Sequence, residues 1–269
     1  MAWLSGWKYR KDITLARASG LVTNYQMKLL VGESSGATGE NVDCGGKCLS
    51  TFNDLRFTTS DGTTLLDYWI ESISGTTPNQ LATVWIEFDS IGTSDTTFYM
   101  YYGNSGASAA SSGENTFIVF DDFERGSDGD TVGGDWTEIT PHVHISTDTA
   151  CGGSKSAKFL GAASPGEASL PLNASSDISI MVRVYKENIA GMSFGHGDTP
   201  SRGLWLKWDT DEVCYFVEGT TYGSSRGSAS HSAWHLFEFN NFNYSTKTLD
   251  FWIDGIKTGS SVGMNTAPG

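Results

Sequence analysis

The chain has 269 residues and a formal charge of −14, from 17 Lys and Arg against 31 Asp and Glu. That balance repels a phosphate backbone and anionic head groups, which excludes nucleic acid as an expected partner, and no run approaches the roughly 18 apolar residues of a membrane span. With 18% charged and 12% aromatic residues and 32 Gly, the composition is that of a turn-rich β protein rather than a helical bundle.

In chain order, the opening MAWLSGWKYRKDITL has no basic segment followed by an apolar core of about 7 to 15 residues, and its alternation begins almost at once, which predicts a strand rather than a signal peptide. Period-two patterning predicts strands at Trp7–Leu15, Tyr25–Val31, Leu55–Thr58, Leu65–Glu71, Ala82–Phe88 and Thr97–Tyr102. Between the second and third of these, Cys44 and Cys48 flank Gly-Gly-Lys in DCGGKC. This spacing permits a small disulfide loop and is wider than that of a zinc ribbon, so a Cys44–Cys48 staple is expected. The polar run GNSGASAASSGENT, residues 103–116, reads as a linker and divides the chain into domains 1–113 and 114–269.

Further strands are predicted at Phe117–Phe120, Ser156–Leu160, Ile178–Tyr185, Leu204–Trp208, Val213–Val217, Leu236–Phe239 and Leu249–Ile253, and short strands at such spacing point to sandwiches. Cys151 in a CGG turn and Cys214 in a strand either pair or stay free thiols. Several strands separate into two faces. Ile178, Ile180, Val182 and Val184 alternate with Met181, Arg183 and Tyr185; Leu204, Leu206 and Trp208 with Trp205 and Lys207; Leu249, Phe251 and Ile253 with Asp250 and Trp252. The polar, ring-bearing faces are where a ligand is expected.

Five blocks in order, WKYRKDITL, NYQMKLLVG, FNDLRFTTSDGTTLLDYWIES, ATVWIEF and TTFYMYYGN, resemble a widespread domain of unknown function found in surface, secreted and viral proteins, over about residues 5–115. The resemblance implies a β-sandwich that accompanies carbohydrate-binding modules. Within it, Asp54, Arg56, Asp61 and Gly62 read as a polar strand and turn, with Arg56 held by a carboxylate. The second half is similar to a concanavalin A-like or laminin-G-like jelly roll through FDDFERG, GGSKSAKF and WHLFEFNNFNYSTKTLDFWIDG, over about residues 117–262. Such folds return for a closing strand beyond the D-G hairpin, and none is read before the chain ends at MNTAPG. The opening MAWLSGWKYRK joined to this pair of domains resembles tail or other virion-surface proteins of tailed phages, which implies a virion-surface location, the alternative being a secreted or cell-surface one.

The jelly-roll resemblance also raises glycoside hydrolysis. Laminarinase-type enzymes of that fold carry E-x-D-x-x-E on one strand, which is absent here; EFDSIG at 87–92 lacks the third acid, and Asp209, Asp211 and Glu212 read as a hairpin turn. No G-x-S-x-G elbow occurs, and His142 and His144 find no third metal ligand nearby. The loop DDFERGSDGD, residues 121–130, packs five acids around two glycines, and the resembling fold often carries one structural calcium there, which puts Asp122 and Glu124 forward as ligands.

The expectation is therefore an all-β chain of two β-sandwich domains, the second a concanavalin A-like jelly roll. It is read as a noncatalytic virion-surface tail, fibre or decoration protein that binds host-surface carbohydrate, with no catalytic residues. Rings and polar groups that suit sugars are Arg183, Tyr185, Trp205, Tyr222, Asp250 and Trp252, with Tyr222 placed on a loop. Other virion or surface-layer proteins and further copies of the chain are the expected protein partners. The alternatives are a purely structural filament or decoration subunit, and a glycoside hydrolase or its accessory binding module.

Overall fold

The computed structural model describes residues 2–263 apart from 18, 37–38, 141, 161–167, 171–177, 188–191, 200–201, 210, 219–220 and 244, with the backbone alone at 192–199, 202–205, 216–218, 221–224 and 261–263. The chain divides into two compact units, Met1–Asp122 and Phe123–Gly269. Both are built of β-strands, and no described helix is long and apolar enough to cross a membrane.

The first unit contains β1 (Tyr9–Leu15), β2 (Val22–Gly32), β3 (Val42–Asp43), β4 (Arg56–Thr58), β5 (Leu65–Leu66), β6 (Tyr68–Ser74), β7 (Leu81–Ile91) and β8 (Thr96–Tyr102). They form two four-stranded sheets, β1-β8-β4-β5 and β3-β2-β7-β6. The alternation in ATVWIEF explains the inner face of β7: Ala82, Val84, Ile86 and Phe88 are buried in a core shared with Phe57, Phe98 and Met100 of the other sheet. Each of these side chains larger than Ala82 contributes roughly 1.5–3 kcal/mol by leaving water. β8 is covered on both faces, because Arg10 lies 4.2 Å from the Tyr99 ring and Trp3 packs edge-on against Tyr101.

Arg56 donates to the carbonyls of Asn53, Leu55 and Ser108 and to the Tyr68 hydroxyl. The carboxylate expected to hold it is replaced by backbone oxygens, since Asp54 is fully used elsewhere. Asp54 is buried and accepts backbone N–H bonds from Leu49 (2.9 Å), Gly103 (2.7 Å) and Asn104 (3.3 Å). It thereby ties the 49–54 loop to the 103–104 segment at the end of β8. Asp61 and Gly62 make the expected turn, Asp61 accepting from the backbone of Thr63 and Thr64.

The segment read as a strand at Phe117–Phe120 is not one. A single helical turn, α1 (Gly113–Thr116), is capped by Ser112 Oγ accepting from Asn115 N at 3.2 Å. It delivers Phe117 and Phe120 onto the outer face of the β6–β7 pair, where their rings lie 5.8 and 4.8 Å from Trp69. This stacking belongs to the first unit, so the structural division follows Asp122 rather than residue 113.

The second unit contains β9 (Thr137–Glu138), β10 (Val143–Ser146), β11 (Ser156–Phe159), β12 (Ala168–Ser169), β13 (Ile180–Tyr185), β14 (Met192–Thr199), β15 (Arg202–Trp208), β16 (Val213–Glu218), β17 (Thr221–Ser228), β18 (Trp234–Asn243), β19 (Thr248–Ile253) and β20 (Ile256–Gly263). Two four-stranded sheets, β13-β18-β19-β20 and β14-β15-β16-β17, contribute to one core that includes Val184, Leu206, Trp208, Phe237, Phe251 and Ile253. The pairs β10-β11 and β12-β9 surround a smaller cluster of Val132, Val143 and Ile145.

The hairpin of β19 and β20 turns at Asp254 and Gly255, both at positive φ, so the chain continues past the D-G turn as a paired strand. Any closing strand beyond it would fall on 264–269, outside the described residues. Asp209 to Val213 close the β15–β16 hairpin as expected. Next to it Lys186, 4% exposed, donates to the carbonyls of Trp208 (3.2 Å) and Asp209 (2.6 Å) and to His231 Nε2 (2.9 Å). Three acceptors satisfy three N–H bonds, while burial pulls its pKa down.

Candidate functional site

The alternation of β13, β18 and β19 decides which side chains leave the core. Val184, Phe237, Phe239, Leu249, Phe251 and Ile253 face inward. The opposite face carries Arg183 and Tyr185 from β13, Trp234 and Glu238 from β18, and Asp250 and Trp252 from β19. Strand register turns this into one rung across all four strands: Met181 pairs with Glu238, Glu238 with Trp252, and Trp252 with Lys257.

The half-buried Trp252 indole sits within a polar network. Asp250 Oδ2 accepts from Lys257 Nζ at 2.9 Å and from Asn241 Nδ2 at 2.8 Å, and the same Lys257 ammonium lies 5.0 Å from the Trp252 ring centre. Asn241 reaches Asp250 because the β18–β19 register shifts between Asn240 and Asn243, with Asn241 at φ +55°; a bulge re-aims the side chain. Further along the face, Tyr185 and Trp234 lie 5.6 Å apart, and the Trp234 indole N–H donates to Thr149 Oγ1. A flat ring ringed by amide, carboxylate and ammonium groups can stack on the C–H face of a sugar and hydrogen-bond its hydroxyls.

Four of the six expected contact residues, Arg183, Tyr185, Asp250 and Trp252, share this face. Trp205 and Tyr222 belong to the other sheet, where Trp205 pairs with Val217 and Val217 with Tyr222; their side chains lie outside the described residues. Tyr222 is in a strand, β17, rather than on a loop. Gly and Ser in TTYGSSRGS read as turn formers, but they sit in an edge strand whose pairing slips twice, a place where small residues and bulges are tolerated. Sequence reading missed Asn241, Glu238 and Lys257. Mirroring the chain about the Asp254-Gly255 turn would have placed Lys257 beside Trp252.

Of the two residues put forward for calcium, Asp122 and Glu124, the second pins a neighbouring loop. Both Glu124 oxygens accept donors from the 154–155 segment: the backbone N–H of Ser154 and Lys155 at 2.6 and 2.8 Å, and Ser154 Oγ at 2.7 Å. These bonds hold its pKa below the usual carboxylate range. Asp128 and Asp130 likewise accept loop N–H groups, of Thr147 and Ser127. These carboxylates pin loop backbone, and among the described residues no three His, Cys, Asp or Glu side chains gather to hold an ion. Cys44 and Cys48 stand as thiols, as do the exposed Cys151 and the buried Cys214, whose thiol burial pushes up to about 12.

In comparisons with known proteins, the family model described as a domain of unknown function (DUF2341) matches residues 51–139. No curated protein and no solved structure matches the chain.

Proposed function

We propose that the second unit is a noncatalytic carbohydrate-binding module, and that the protein displays it on a virion surface to engage host-surface glycan. The observation that carries this reading is the rung Glu238–Trp252–Lys257, with Asp250 and Asn241 closing a polar rim about one indole. Sugar rings are gripped by such shallow aromatic platforms rather than by deep apolar pockets. The virion location rests on the resemblance of the opening residues and domain pair to tail proteins, and the jelly-roll reading of the second unit on the strand and D-G hairpin pattern. Repeated display on a particle converts weak single sites into avidity.

Screening the full chain on a glycan array, then titrating its best glycan, tests the reading. Trp252→Ala is expected to weaken binding by about 10- to 100-fold, the loss of one stacking contact of roughly 1–3 kcal/mol, with unchanged circular dichroism. Undiminished binding by Trp252→Ala, or an array with no positive glycan, would overturn it.

A further inference from the structure

Cys44 and Cys48 are brought together by the backbone between them. Cys44 N donates to Gly32 O, Lys47 N closes a turn onto Cys44 O at 3.1 Å, and Gly45 and Gly46 both take positive φ, which folds Cys48 back over Cys44. Cys48 packs against the core cluster that holds Cys44, its nearness raises the Cys44 thiol, and Cys48 Sγ also lies 3.9 Å from the Glu33 carbonyl. They differ in access. Cys44 is fully buried, while Cys48 lines an open cleft of about 240 Å³ together with Lys8, Lys47, Asp54 and Ser105.

The cleft is cationic in an acidic protein. Neither Lys8 nor Lys47 has an ion-pair partner among the described residues, and Lys47 Nζ is seated 4.5 Å over the Tyr9 ring, itself stacked on Tyr102. Asp54 lines the same cleft, but its oxygens are committed to backbone N–H groups. The structure thus offers one reachable thiol, a second thiol behind it, and two ammonium groups beside the entrance.

We propose that Cys44 and Cys48 form a reversible dithiol–disulfide site, entered at Cys48, whose co-reactant is a small carboxylate-bearing disulfide of the glutathione class. Cys48, having lost its proton to solvent, attacks one sulfur of that disulfide; the S–S bond breaks, and the departing thiolate takes a proton from water. Cys44 then gives up its proton and attacks Cys48 Sγ, expelling the second small thiol. Two protein thiols are oxidised by two electrons, and one small disulfide is reduced to two thiols. The lysines draw the carboxylates of the incoming molecule to the cleft. The site lies in the first unit and stands independently of the glycan reading.

The test uses the full chain carrying Cys151→Ser, which removes the exposed competing thiol. Incubated with glutathione disulfide and followed by intact mass and peptide mapping, this chain is expected to lose two hydrogens through a Cys44–Cys48 bond. Adding Cys44→Ser should trap one glutathione on Cys48, and Cys48→Ser should leave Cys44 unmodified. Lys8→Met with Lys47→Met should slow the reaction by about 5-fold per cation with glutathione disulfide, and leave the rate with uncharged hydroxyethyl disulfide unchanged. Alanine variants at both cysteines, checked by near-ultraviolet circular dichroism, control for folding. A chain that stays reduced, or a Cys48→Ser chain that gains glutathione on Cys44, overturns the site; equal slowing with both disulfides overturns the role of the lysines.

Discussion

His235 Nδ1 lies 2.6 Å from Asp254 Oδ2, and the other oxygen of that carboxylate accepts the Leu236 backbone N–H at 2.9 Å. On the far side of the ring, Nε2 is 3.2 Å from Ser230 Oγ and 3.1 Å from Ser230 O. Serine, histidine and aspartate are therefore assembled in the order of a hydrolase triad. Nε2 is shared between the hydroxyl and the carbonyl of Ser230, and the ring is held at both of its nitrogens. The group works as a clasp that joins the 230 turn, β18 and the β19–β20 turn. His235→Ala should destabilise the second unit by about 1–3 kcal/mol in urea unfolding, and Asp254→Asn, which keeps the turn, by less. An unchanged midpoint for His235→Ala would refute the clasp; labelling of Ser230 by a fluorophosphonate would refute its noncatalytic reading.

The first unit depends on Asp54 in the same way. Asp54→Asn presents an amide donor where backbone N–H groups of Gly103 and Asn104 need an acceptor, so two donors are left facing a third. The expected loss is about 2–4 kcal/mol, read as an earlier urea transition, and it should exceed the effect of Asp61→Asn on the exposed turn.

Alkali should weaken this unit. Burial, reinforced by the nearby Cys44, Asp43, Cys48 and Tyr9, pushes the Tyr102 phenol up to about 12, and the Cys44 thiol is raised by the nearness of Cys48 and by burial. A raised acid favours the protonated folded state. Its stabilisation is complete below the ordinary phenol range near pH 10 and is lost as pH climbs toward about 12. Tyr102→Phe should flatten the fall in unfolding midpoint across that window by about 1–2 kcal/mol. Parallel curves for variant and parent would contradict this.

A Cβ at Gly113 would lie 2.3 Å from the Phe120 ring. Gly113→Ala is therefore expected to lift Phe120 off Trp69 without unfolding the sandwich, because a ring at the end of a side chain can move. Red-shifted tryptophan emission and faster proteolysis within residues 114–122 would follow; an unaltered emission spectrum would show that the ring is accommodated in place.

Much of this architecture was legible in alternation. ATVWIEF, DISIMVRVY and TLDFWI each give a correct inner face, because a strand with one face in the core must repeat every second residue. Alternation names a face but not a sheet, which is why Trp205 and Trp252 looked like neighbours and lie in different sheets. The strands Met192–Thr199, Thr221–Ser228 and Ile256–Gly263 were not read at all, since Gly and Ser supply little pattern, and pairing with neighbours decides their state. Phe117 and Phe120 looked like a strand for the opposite reason: their apolar surface is needed, but it is spent on a neighbouring pair of indoles. Glu124 shows the limit of composition, because an acid-rich loop can serve backbone amides as readily as a cation.

Lys186 sets a proton inventory for the second core. His231 Nε2 spends its lone pair on that ammonium at 2.9 Å, and the other ring nitrogen lies 3.8 Å from Glu212. The imidazole thus stands between an ammonium and a carboxylate beneath Trp208, and ties together a corner where three strand ends meet.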